Sequence, residues 1–191
     1  MATKTGIINE ALIELGASRI ISDTDGSKNA NAANDVYEAV LERCLRMHYW
    51  NFAKTKKKLA RLTETPAFGF DYIYAKPPDW IRTKSIHDND GGTGTVPYSL
   101  EAEGFHADAL DVYLVYTKKV TDPNQMTADF RHYLAMSLAK TIAKKITGED
   151  ADREAMRSLE SSALSTAASA DAIEDYPEQQ PEGSWVLDRA L

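Results

Sequence analysis

The sequence predicts an α+β protein: an antiparallel helical bundle of two N-terminal and two C-terminal helices, an inserted antiparallel β-sheet domain, and an extended C-terminal tail. Three observations predict it. Apolar residues recur at i, i+3, i+4 and i+7 near both ends of the chain, the spacing of a helix with one buried face. Between residues 53 and 121 that period yields to short aromatic and β-branched runs parted by Pro and Gly turns, which read as strands. Past residue 172, prolines and acids replace both patterns. Residues 1–52 and 122–172 therefore form the bundle, 53–121 the inserted sheet domain and 173–191 the tail.

The first helix covers about residues 5–15, with Ile8, Leu12 and Leu15 as its stripe and Ile7 and Ala11 widening it. Gly16 can take the left-handed position that ends a helix. A loop follows, carrying Ile20, Ile21 and the turn Asp23-Thr24-Asp25-Gly26-Ser27, in which Ser27 or Asp25 can cap the next helix. Residues 28–53 are the stretch around which the chain is organised. Ala33, Val36, Tyr37, Val40, Leu41, Cys44, Leu45 and His48 hold the helical ladder, and Asn34, Asp35, Glu38, Glu42, Arg43 and Arg46 fill the other face. The stretch closes on Tyr49-Trp50-Asn51-Phe52-Ala53. Trp50 and Phe52 are large anchors that need a core, and they are read as the structural joint between the helical layer and the strand layer.

From Phe52 the pattern turns to strands. Alternation places Lys54, Lys56 and Lys58 on one side of the first, a basic face available to a channel or an interface. After the hinge Thr63-Glu64-Thr65-Pro66, residues 68–75 read as an aromatic strand. Pro77-Pro78-Asp79 is a stiff turn opening a strand over 80–87. Residues 88–95, Gly-rich and polar, form a hairpin tip. The last two strands lie at 97–101 and 109–118, joined by a polar connection containing Gly104. Val112, Leu114 and Tyr116 alternate with Tyr113, Val115 and Thr117, so the final strand is central or covered on both faces.

Helix three covers about 127–146, with Phe130, Leu134, Leu138, Ile142 and Ile146 at successive i+4 steps; Lys144 and Lys145 favour its C-terminal dipole and Gly148 ends it. Helix four covers about 150–172, with a thin stripe of Met156, Leu159, Ala163, Leu164 and Ala167. It packs closely on another helix or serves another subunit. In the tail, Tyr176, Trp185, Val186 and Leu187 stand among prolines and acids. An apolar group led by Trp on a polar segment reads as a docking element for a partner.

Several chemistries are excluded by spacing. The single cysteine, Cys44, rules out an internal disulfide. Cys44 and His48 are i, i+4, but His87, His106 and His132 lie in unrelated contexts, and zinc needs three or four convergent ligands. No metal site is therefore expected. Aligning Gly26 with the invariant glycine of an EF-hand loop puts Ile21 and Ala32 at its two end positions, where carboxylates are required. The glycine-rich 88–95 stretch lacks the Lys-Ser/Thr of a phosphate-binding loop and a following helix. No catalytic constellation emerges, no cofactor is implied, and no apolar run is long enough to span a membrane. The net charge of −7 is uneven: residues 149–191 hold eleven acids against three arginines, whereas residues 43–63 hold seven Lys/Arg and no acid.

The ending Leu45-Arg46-Met47-His48-Tyr49-Trp50-Asn51-Phe52-Ala53, a long helix closing ahead of a basic strand, resembles the tail tubular protein A (head-to-tail adaptor, or connector) family of short-tailed bacteriophages. The run from Phe68 to Arg82 is similar to the family's aromatic–Pro–Asp–hydrophobic–Arg segment, with Pro77 where Leu is more usual. Val120-Thr121-Asp122-Pro123 resembles its Thr-Asp-Pro lead into the third helix. The ordered set carries the resemblance over nearly the whole chain. It implies a structural virion protein rather than an enzyme, forming a ring of about twelve copies that joins the portal protein to the tail nozzle (tail tubular protein B-like) protein. Such a ring lines the channel for double-stranded DNA in genome retention and ejection. It implies a place in the virion tail at the portal vertex, after synthesis in the bacterial host cytoplasm. Two alternatives come from other classes: a virion-associated cell-wall hydrolase, which needs a carboxylate or Cys-His cleft, and a free nucleic-acid-binding protein using the basic band 43–61.

Overall fold

The computed structural model describes residues 1–148 and 151–174. The expected docking residues Tyr176, Trp185, Val186 and Leu187 lie outside the described residues. The described chain is α+β, with four helices and two small antiparallel sheets.

Each of the first three long helices starts where a hydroxyl side chain can accept an orphan amide. Thr3 accepts from Gly6 ahead of α1 (Lys4–Glu14), Ser27 from Ala30 ahead of α2 (Lys28–Met47), and Thr127 from Phe130 ahead of α3 (Ala128–Thr147). Gly148 then stops α3 at φ +80°, and its amide returns to the Lys144 carbonyl. The last helix, α4, is Ala151–Glu174. The loop between α1 and α2 is pinned by amide side chains from both helices: Asn9 donates to the Ile20 carbonyl and accepts from the Ile20 amide, and Asn29, Asn31 and Asn34 donate to the Ser18, Gly26 and Asp23 carbonyls.

α3, not the 28–53 stretch, is the organising element. It packs against α1, α2 and α4, while α1 and α2 touch each other only lightly. Phe130, Leu134, Leu138 and Ile142 are buried on it as their spacing predicts, and so are Ala135, Met136, Ser137, Ala139 and Ala143. The reason sequence points elsewhere is physical. A strong 3.6-residue period marks a helix with one face in water, and α2 is such a helix; a helix covered on several sides blurs its own period.

The strand region is two sheets rather than the single one expected. β1 (Lys54–Lys58), β6 (Tyr113–Lys118) and β3 (Trp80–His87) form one, in the order β1-β6-β3; β2 (Tyr72–Tyr74), β5 (Phe105–Ala107) and β4 (Ser99–Leu100) form the other, in the order β2-β5-β4. β6 is central, in keeping with its two apolar faces. The aromatic run at 68–75 contributes only three strand residues, and Phe68 is 91% exposed. The connection containing Gly104 holds the unexpected strand β5. Gly104 makes this possible at φ +151°, because a Cβ there would stand 2.2 Å from the Tyr74 carbonyl oxygen. Only a glycine lets β5 come that close to β2.

Two apolar clusters result. The larger contains Ile8, Leu12, Tyr37, Leu41, Trp50, Phe130 and Leu134 from the helical segments and reaches into the sheet layer at Ile81. The smaller contains Leu59, Tyr74, Ile86, Phe105, Leu114 and Tyr116.

Candidate functional site: the helix–sheet corner and its lysine edge

The chain turns from helix to strand through a single 3₁₀ turn, Asn51–Ala53. Trp50 is wholly buried just before it, and its indole N–H donates 3.0 Å to the Cys44 carbonyl. That bond satisfies one of the four carbonyls that the end of α2 leaves without partners. Around the indole stand Phe130 (4.9 Å, edge-on), Phe52 (6.2 Å), Tyr133 (6.1 Å) and His48 (4.9 Å). Trp50 belongs to the helical cluster, and Phe52 is half-buried against it.

The polar grip between helix and sheet comes from their neighbours in the same motif. Arg46 donates 2.9 Å to the Ile81 carbonyl, and Arg82 donates 2.9 Å back to the Arg46 carbonyl. The Arg82 guanidinium also stacks over the Tyr49 ring at 4.1 Å, and the Tyr49 hydroxyl donates to the Thr83 carbonyl. On the far side Lys119 pairs with Glu38 at 3.0 Å and Glu42 at 2.7 Å. Planar guanidinium groups crossing between backbone carbonyls fix an angle as well as a distance.

α4 is fastened to the same corner. Asp171 is buried and accepts from the Asn51 amide at 2.9 Å, capping the 3₁₀ turn; His48 lies 3.3 Å from its other oxygen. Nearer the start of α4, Glu160 accepts from Ser137 of α3 at 2.5 Å and pairs with Lys140; Arg43 of α2 reaches Ser137 and Thr141. Burial pushes the Glu160 carboxyl upward, but the hydrogen bonds from Lys140 and Ser137 outweigh it and hold the group below its ordinary value. Burial pushes the Cys44 thiol up and Tyr133 far up, so both stay neutral in this interior.

The lysine face is an edge strand, β1, which among the described residues is bound only to β6. The register sets Lys54, Lys56 and Lys58 opposite Thr117, Val115 and Tyr113. Lys54 reaches the Asn51 side chain, and Lys58 pairs with Asp111 at 2.7 Å while lying 5.5 Å from the centre of the Tyr113 ring. Lys56 and Lys57 are exposed. Lysines on an edge also discourage pairing with a foreign strand. The seven-cation band is not one continuous face: Arg43 and Arg46 bind inside the chain, and Arg61 lies over the Tyr72 ring at 4.8 Å.

One grouping lies outside every motif singled out from sequence. The short β4–β5 hairpin brings Glu101, Glu103 and His106 together, with one donor atom from each within 4.8 Å of the others. The signal was present as Glu-x-Glu-Gly-Phe-His, but it only acquires meaning once a strand is recognised at Phe105–Ala107.

Among the described residues no helix is long and apolar enough to cross a membrane. No protein-family model matches the sequence, and no curated protein matches it.

Proposed function

We propose that this chain is a head-to-tail adaptor of a short-tailed bacteriophage. It is a structural virion protein that closes into a ring of about a dozen copies, sits between portal and nozzle, and gives passage to double-stranded DNA. The observation that carries the reading is the corner itself. The 45–53 motif, on which the resemblance rests, is where the strand region leaves the helices and is clamped back by Arg46, Tyr49 and Arg82. A ring subunit needs a fixed angle between the part that meets its neighbours and the part that reaches the next component, and this clamp supplies one. Exposed Lys56 and Lys57 suit a surface that meets DNA in passing or an acidic neighbour. A free nucleic-acid-binding role draws on the same band with less support, since three of its arginines are engaged within the chain.

The test is electron microscopy of the purified protein mixed with portal rings. The expected outcome is a second ring stacked coaxially on the portal. Dispersed monomers that bind DNA in a salt-dependent manner would instead establish the nucleic-acid reading, and peptidoglycan cleavage would establish the hydrolase.

A further inference from the structure

The β4–β5 hairpin is closed by the Glu101 amide donating 2.9 Å to the Gly104 carbonyl, with Ala102 and Glu103 at its tip. Its register pairs Ser99 with His106 and Leu100 with Phe105. Strand alternation therefore puts Glu101 and His106 on one face, and Glu103 reaches back from the tip. The His106 side chain is only 5% exposed, while those of Glu101 and Glu103 are 52% and 59% exposed. His106 Nδ1 stands 3.7 Å from Glu101 Oε1, and Nε2 stands 3.6 Å from Glu103 Oε2. Both separations exceed a hydrogen bond, and the buried Nε2 has no hydrogen-bond partner among the described residues.

A buried ring nitrogen without a partner is costly, and here it is aimed at a carboxylate that does not quite reach it. We propose that this hairpin binds a divalent transition-metal ion of the zinc class, held by the His106 imidazole and the carboxylates of Glu101 and Glu103. Bonds of about 2.0–2.2 Å in tetrahedral array set donor atoms roughly 3.3–3.6 Å apart. Nε2 and Glu103 Oε2 stand 3.6 Å apart, and one donor atom from each residue lies within 4.8 Å of the others, so Glu101, now facing Nδ1, has to swing across to the Nε2 side. The imidazole is fixed by burial and the two glutamates are free to swing inward, so closure needs only side-chain rotation at the surface. Three protein donors leave a coordination position for water or for a group on a partner. An imidazole donor favours zinc and its neighbours over magnesium and calcium, which take all-oxygen sites.

The experiment is titration of the chelator-treated full chain with zinc chloride at neutral pH, followed by calorimetry and by the imidazole resonances of His106. The expected result is one ion per chain with a shift of those resonances. Glu101→Gln and Glu103→Gln should each weaken binding by about tenfold or more, the scale that loss of even an outer partner reaches, and His106→Gln should abolish it. If His106→Gln fails to fold, the two exposed glutamate variants decide the matter. Absence of binding would overturn the proposal, leaving an imidazole lodged between carboxylates. So would unchanged affinity in both glutamate variants, which would move the ion elsewhere, for example to the exposed His132–Glu10 pair. Equal binding of calcium without any imidazole shift would overturn it as well.

Discussion

At the scale of single residues, Trp50 shows how one side chain serves two ends at once. It fills the centre of an aromatic group and completes the hydrogen bonding at the end of α2. Trp50→Ala removes both, so it should cost roughly 3–5 kcal/mol, a large part of a typical stability of about 5–15 kcal/mol. Cys44 provides a local readout. Its carbonyl loses the indole, and its buried thiol, pushed up by that burial, is unreactive while the interior stays closed. Thermal melting of the variant should fall markedly and native thiol labelling should accelerate. A melt within about 2 °C of the parent would mean that the aromatic group closes without its indole.

At the scale of elements, two contacts can be separated by pH and by charge. Glu160 joins α4 to α3 with its folded value below the ordinary 4.5. A depressed carboxyl contributes stability above its unfolded value, and that contribution is lost as pH falls through the folded value. The fold should therefore weaken on acidification below about pH 4.5, and Glu160→Gln should flatten that limb of the stability–pH curve. An identical acid limb in the variant would assign acid sensitivity to other carboxylates. The β1 edge behaves differently. Exposed ion pairs contribute about 0–1 kcal/mol, and the Lys58–Asp111 pair is half exposed. Replacing Lys54, Lys56 and Lys58 together by Gln should leave circular dichroism intact while altering ring assembly or DNA passage. An unfolded triple variant would make these lysines part of the sheet's own stability.

At the scale of the whole molecule, both apolar clusters, as built from the described residues, end at Ala167. On the reading of residues 173–191 as a docking segment, a chain ending at residue 174 should melt within about 2 °C of full length. On the adaptor reading, with Trp185 as an anchor for a partner, the same truncation should weaken capture by portal rings. Equal capture of full-length, truncated and Trp185→Ala protein would remove docking from the tail. A much lower melting point of the truncated chain would return those residues to the protein's own core.

The sequence by itself determined what depends on near neighbours along the chain. The four helices, the Ser27 cap, the Gly148 stop and the central position of β6 follow from period, capping chemistry and two-faced apolarity, all of which act within a few residues. Tertiary structure decided what depends on residues far apart. That α3 is the hub was hidden because burial on several sides erases periodicity. That Arg46 and Arg82 clamp the corner depends on residues 36 positions apart in sequence. That β5 pairs with β2, some thirty residues earlier, rests on a close backbone approach at Gly104. Local pattern specifies which face of an element is apolar; only the packed chain specifies what that face meets.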